Sequence, residues 1–193
     1  MKYLVLEKDS YQFQEYSLVA LREEDILLIK DWRNAQILIL RQNKPLTEPE
    51  QIEYYNQVVI PSFSQAKPSI ILFSFLKKEM CIGYGGLVHI DWSNKRAELS
   101  FLLNPERVKD KNLYEVEFTI FIKLIKEIAF KELKLNKVYT ETFDLNFRSH
   151  HISILEKNGF TFEGRLRQHI YKENKFIDSL IHSILGEEYE LEK

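Results

Sequence analysis

The chain has 193 residues, 45% hydrophobic and 29% charged, the composition of an ordinary globular protein long enough for one sizeable core. Lysine and arginine (27) nearly balance aspartate and glutamate (29), so the formal charge of -2 provides no bulk attraction to nucleic acid or an anionic membrane. The single cysteine, Cys81, excludes an intrachain disulfide and a multi-thiolate metal site, and no metal site is expected.

The opening Met1-Lys2-Tyr3-Leu4-Val5-Leu6-Glu7-Lys8 meets charge before an apolar segment of signal length can form. No apolar run approaches the roughly 18 residues of a membrane span, and a cytoplasmic protein is expected. Residues 3–6 and 11–21 read as extended segments that pair as a hairpin, with residues 1–15 an amino-terminal addition to a single domain over 1–193. Arg22-Glu23-Glu24-Asp25 supplies acidic residues to a helix start, and Ile26, Ile29 and Trp32 recur at helical spacing. Thr47-Glu48-Pro49-Glu50 is a capping box with proline in the first turn, announcing a second helix whose Tyr54, Tyr55 and Val58 face the core or a site.

From Pro68 the period changes. Residues 70–76 form a nearly continuous apolar run, a central strand, followed across the Lys77-Lys78-Glu79 turn by a strand over 81–90 and another over 96–103. This is an antiparallel meander. Leu113, Val116, Ile120, Phe121, Leu124, Ile125, Ile128 and Ala129 then recur at helical spacing, predicting a long helix packed on the sheet. A strand over 136–143, a helix over 149–158 stopped at Gly159, and a hairpin pairing 160–171 with 176–185 complete the order.

That order, with Ile82-Gly83-Tyr84-Gly85-Gly86-Leu87, Arg96-Ala97-Glu98-Leu99-Ser100-Phe101-Leu102-Leu103 and Leu155-Glu156-Lys157-Asn158-Gly159-Phe160, resembles the GCN5-related N-acetyltransferase (GNAT) superfamily over most of the chain. The resemblance implies an α/β fold with a mixed, mostly antiparallel sheet of six to seven strands and helices on both faces. It also implies transfer of an acetyl group from acetyl-CoA to a primary amine. The Trp32-Arg33-Asn34 phrase is similar to one in amino-sugar nucleotide acetyltransferases, so the expected acceptor is a small-molecule amine of that kind, with homodimerisation left open.

Such a reaction needs a neutral amine, a donor for the oxyanion and a proton for the leaving thiolate. By the resemblance Glu98 is the base, with His89 and Tyr84 able to reach the same cleft. The strand ending in Leu102 and Leu103 receives the pantetheine arm. The turn after it departs from the family: Glu106-Arg107-Val108-Lys109-Asp110-Lys111-Asn112 has no glycine to admit phosphates to the backbone. Arg107, Lys109 and Lys111 are the expected replacements, acting by charge near a helix start, with Asn112 beside them as a further cofactor contact. The family's cofactor-contacting asparagine is read as Asn146, and its acid tyrosine falls on Leu155, which can donate nothing. His150 and His151, near the start of the same helix, are the candidates for that lost acid. Acceptor recognition is expected from Trp32, Arg33, Tyr84 and Arg165, with Asn34, Arg41, Tyr54, Tyr55, Arg167 and His169 nearby. The missing glycine turn and tyrosine also keep open a non-catalytic relative that binds a ligand or partner in the cleft.

Overall fold

The alternation of side chains along three paired strands decides where the helices sit. The structure, a computed structural model, describes residues 1–191. A hairpin of β1 (Ser10–Phe13) and β2 (Tyr16–Ala20) leads into helices α1 (Ile26–Ala35), α2 (Glu48–Tyr54) and α3 (Ile60–Phe63). Strands β3 (Ile71–Lys77), β4 (Met80–Asp91) and β5 (Arg96–Leu103) form the meander, followed by α4 (Pro105–Val108) and the long α5 (Lys111–Lys126). Then come β6 (Lys137–Phe143), α6 (Ser149–Lys157), β7 (Thr161–Lys172), β8 (Lys175–Leu185) and α7 (Gly186–Leu191). The sheet order is β1-β2-β3-β4-β5-β6-β8-β7. Only β5 and β6 run parallel.

Leu72 pairs with Gly86, which pairs with Ser100, whereas the neighbouring set is Phe73, Gly85 and Phe101. The first set faces α1 and α2, where Leu72, Tyr84, Val88 and Ser100 share a cavity with Arg33 and Tyr54. The second faces α5: Phe101 stacks on Phe118 at 4.6 Å and meets Phe121 at the same distance. Helices therefore cover both faces of the sheet. Gly85 makes the packing on α5 possible, because a Cβ there would lie 2.1 Å from the Ser100 carbonyl oxygen and 2.9 Å from the Phe121 ring.

The sheet has eight strands, since both arms of the amino-terminal hairpin join it. Residues 3–6 form no strand. Instead the buried Tyr3 hydroxyl donates to the Leu72 carbonyl (3.0 Å) and accepts from the Leu72 amide (2.7 Å), tying the opening segment to the sheet through a side chain. The capping box of α2 is present as read, with Thr47 and Glu50 bonding reciprocally. A π-helical turn at Tyr55–Val59 then shifts the helical phase, so that Tyr55 and Val59 are buried and Val58 is exposed. The inward face of α5 carries Phe118 and the fully buried Glu117, while Val116 is exposed. Burial of Glu117 is compensated by Arg107, which donates through both Nε (2.8 Å) and Nη2, with the Tyr16 hydroxyl nearby at 3.4 Å. Leu155, by contrast, is an ordinary core residue.

Candidate active site

Beyond Glu98 the two parallel strands part. Their ladder holds three pairs, Arg96 with Lys137, Ala97 with Val138 and Glu98 with Tyr139. From Leu99 to Leu103, β5 keeps β4 on one side and has no strand on the other. A cavity of about 350 Å³ occupies the split, walled by Glu98 to Phe101 from β5, Thr140 to Phe143 from β6, and Arg33, Arg41, His89, Arg148 and His151 from elsewhere. A second cavity of about 360 Å³, between the end of α1, the start of α5 and α6, shares Ile39, Arg148 and His151 with it. The two form one groove.

Glu98 sits at the apex and is 7% exposed. Its carboxylate accepts two hydrogen bonds from Arg41 (2.8 and 3.1 Å) and lies 2.8 Å from His89 Nδ1. A carboxylate only accepts, so the His89 proton on Nδ1 points at Glu98, and His89, itself largely exposed, lines the cavity. His89 reaches this position through a bulge: the β4–β5 register shifts between Val88 and Asp91, and His89 adopts φ of 49°. Such a conformation is uncommon outside glycine, and here it aims a side chain at the split.

Arg41 spans the split to Glu141 of β6 at 2.6 Å, whose other oxygen accepts from Ser179 at 2.7 Å. Burial opposes the charge on Arg41, but the hydrogen bonds and charges of Glu98 and Glu141 outweigh it and raise its pKa. Burial likewise works against the Glu141 carboxylate and is overcome by Ser179 and Arg41, which leave its pKa below the usual range. The loop carrying Arg41 is held at both ends. Lys172 of β7 donates to the carbonyls of Ile37 (2.8 Å) and Gln42 (2.7 Å), and Asn34 bonds both the Leu46 amide and its carbonyl.

On the α6 side, His151 is stacked on Phe118 at 4.6 Å, with the Tyr114 hydroxyl 2.8 Å from its Nδ1. Burial, then the charge of Arg148, pushes its pKa well below that of a free imidazole. It is a neutral ring at physiological pH. The neutral form is the one expected near a helix start, and a neutral ring has no imidazolium proton to give. His150 points outward, 3.1 Å from the Lys111 carbonyl and 3.8 Å from Glu115, and lines only the second cavity.

The remaining expected residues divide. Arg33 lines the split and a third cavity of about 250 Å³, donating to Gln42 at 3.1 Å and to the Tyr84 hydroxyl. Lys111 lines the second cavity. Leu102 and Leu103 lie on the open stretch of β5, both buried. Trp32 is not a ligand wall: it is 5% exposed and belongs to the inward stripe of α1 with Ile26 and Ile29. Arg165 is held outside the groove by Asp144 and Asp178. Arg107 is committed to Glu117, and Lys109 pairs with Glu106 at 2.7 Å. Asn112 is exposed, and its amide, with that of Leu113, is capped by the Asp110 carboxylate. Asn146 is exposed and lines none of these cavities; Arg148, two positions on, lines two. Sequence reasoning singled out none of Arg148, Tyr114 and Lys172 as a site residue.

Comparison with known proteins places this fold in a family. A model of the acetyltransferase (GNAT) domain matches residues 18–181. The chain belongs to this family. A spermidine N-acetyltransferase from Vibrio cholerae, solved in complex with CoA and spermine, superposes with a TM-score of 0.75 at 21% identity, over 91% of this chain and 98% of that chain. A dodecameric form of the V. cholerae enzyme gives 0.72 at 21% identity, over 91% and 96%. A probable GNAT-family acetyltransferase from Chromobacterium violaceum gives 0.74 at 17% identity, over 96% and 90%.

The donor of GNAT acetyltransferases is acetyl-CoA, and the groove has the features such a donor needs. The β5 edge from Leu99 to Leu103 offers backbone groups without a strand partner to an amide-bearing arm. Lys111 puts a cation on the wall of the outer cavity. The amides of Asn112 and Leu113 at the start of α5 are taken by the Asp110 carboxylate. Among the described residues no cluster of three or more metal-ligating side chains occurs, and no helix is long and apolar enough to cross a membrane.

Proposed function

We propose that this GNAT protein transfers the acetyl group of acetyl-CoA to the primary amine of a small molecule bound at the split, with the Glu98–His89 pair taking the amine proton. The observation that carries the reading is the 2.8 Å contact between Glu98 and His89 Nδ1 at the apex, on a histidine that lines the split. Glu98 is thus the group that orients the base, and His89 is the base. The acetyl thioester supplies the electrophile, and the parted strands hold it beside the imidazole.

Glu98 and Glu141 stand on either side of the split and are joined by Arg41. Similarity to a spermidine acetyltransferase favours a polyamine as the acceptor. A second reading, an amino-sugar nucleotide from surface-polysaccharide synthesis, is favoured by Arg33, which has a planar fork and no carboxylate partner among the described residues, beside the half-exposed Tyr54. A cytoplasmic location and assembly into a homodimer belong to the same proposal.

The test is thiol release from acetyl-CoA with a panel of diamines, polyamines and amino-sugar nucleotides. Replacing Glu98 by Gln, or His89 by Gln, is expected to lower kcat by about 10²–10⁴-fold at neutral pH and leave acetyl-CoA affinity unchanged. An unchanged rate removes the pair from the mechanism. Binding of acetyl-CoA with no turnover on any amine favours the non-catalytic reading.

A further inference from the structure

Arg148 is a cation without a counterion. It lines both cavities of the groove, at the point where the split meets the donor channel, and no carboxylate lies within ion-pair distance of it among the described residues. Its polar neighbour is the Tyr114 hydroxyl, which also bonds His151 Nδ1. A charge taken out of water is costly unless an opposite charge meets it. The Tyr114 hydroxyl and the neutral His151 supply no negative charge. The groove itself is the place from which a counterion has to come.

The position of the charge along the groove tells which anion. Val108, at the end of α4, and Lys111, at the start of α5, line the outer cavity only, whereas Arg148 and His151 line the split as well. The phosphate end therefore belongs to Lys111, and Arg148 stands at the reacting end. The acid tyrosine expected one helical turn further on is Leu155, which is buried and has no donor. Helical side chains lean back by about a turn toward the amino terminus. A phenol at that position would have reached the level of His151, the ring Tyr114 now contacts from the facing helix.

We infer that Arg148, supported by Tyr114, is the group that receives the coenzyme A thiolate. The inference rests on the proposed reading of the split as the acetyl-transfer site. As the amine nitrogen bonds to the acetyl carbon, its proton passes to His89. The carbon–sulfur bond then breaks with its electron pair going to sulfur, and the thiolate leaves paired with the Arg148 guanidinium. No proton donor is consumed in that step; solvent protonates the thiolate after release. A fixed cation does by charge what the missing phenol does by proton transfer.

The experiment is to titrate the thiol of coenzyme A bound to the protein by its thiolate absorbance, with the desulfo-coenzyme A complex as blank, for the wild type, Arg148→Met and Arg148→Lys. In the wild type the bound thiol is expected to titrate about one to three units below free coenzyme A. Arg148→Met abolishes the shift while affinity for acetyl-CoA holds, and Arg148→Lys, which preserves the charge should the methionine variant fail to fold, retains part of it. An equal thiol pKa in wild type and Arg148→Met overturns the inference. So does an equal loss of affinity for acetyl-CoA and desulfo-coenzyme A in that variant with a weaker salt dependence, the signature of a phosphate contact. A wild type that binds no coenzyme A contradicts the acetyl-transfer reading itself, and is seen before any variant is compared.

Discussion

Buried polar side chains set the chemistry of this molecule one residue at a time. His151 and His182 are both buried, and burial pulls both pKa values below 6.5. A group whose folded pKa is depressed binds more protons when unfolded, so its contribution to stability is complete above pH 6.5 and is lost as pH falls through the folded value. Unfolding free energy measured by denaturant titration is expected to decline below pH 6.5 by up to about 1.4 kcal/mol per pH unit for each histidine. Replacing His151 by Gln should remove one share of that slope; a slope that survives in full contradicts the assignment. Cys81 provides a second check. Burial pushes its thiol up to about 12, so native protein at pH 8 should resist maleimide labelling and unfolded protein should label fully. At this scale the candidate site was half legible in the sequence. The resemblance singles out Glu98 and brings His89 to the same cleft. That Glu98 bonds Arg41 was not readable, because Arg41 arrives from a loop 57 residues earlier, and the bulge that aims His89 leaves no mark in the hydrophobic pattern.

The elements carry their own test of the basic turn between β5 and α5. Arg107 was expected to meet phosphate; it satisfies Glu117, a carboxylate with no exposure at all. Replacing Arg107 by Met leaves that charge buried and unpaired, which should cost about 3–5 kcal/mol by denaturant unfolding. The double replacement Arg107→Met with Glu117→Leu should recover most of it. If Arg107→Met leaves stability intact and weakens acetyl-CoA instead, the phosphate role stands. At the start of α2, Thr47→Ala removes the hydroxyl that accepts from the Glu50 amide, leaving the backbone bond from residue 47 to the Glu50 carboxylate, and should cost about 1 kcal/mol. Strand β5 was predicted at its observed bounds, and α6 with its Gly159 stop nearly so, because local signals there coincide: period two between turns for the one, a glycine at φ 84° for the other. The inward face of α5 was misassigned where a buried ion pair, Glu117 with Arg107, takes a position that hydrophobic spacing gives to Val116. The π-helical turn after α2 shifts the phase by a hydrogen-bond pattern that composition does not announce.

At the scale of the whole molecule, one departure from regularity makes the site. Seven strand pairings hold the sheet together, and the single parallel one lasts three residues before β5 turns to α5 and β6 stays with β8. The opening so formed collects His89, Arg41, Arg148 and two carboxylates from five separate stretches of chain, which no local reading brings together. Its central consequence is an unpaired strand edge awaiting an amide-bearing donor. Amide hydrogen exchange of the protein with and without acetyl-CoA tests this most directly. The account predicts that acetyl-CoA slows exchange at Leu99 to Leu103 of β5 and at the Phe147 to His151 wall, while the β7–β8 hairpin end is unaffected. Unchanged exchange along Leu99 to Leu103 at saturating acetyl-CoA would contradict it.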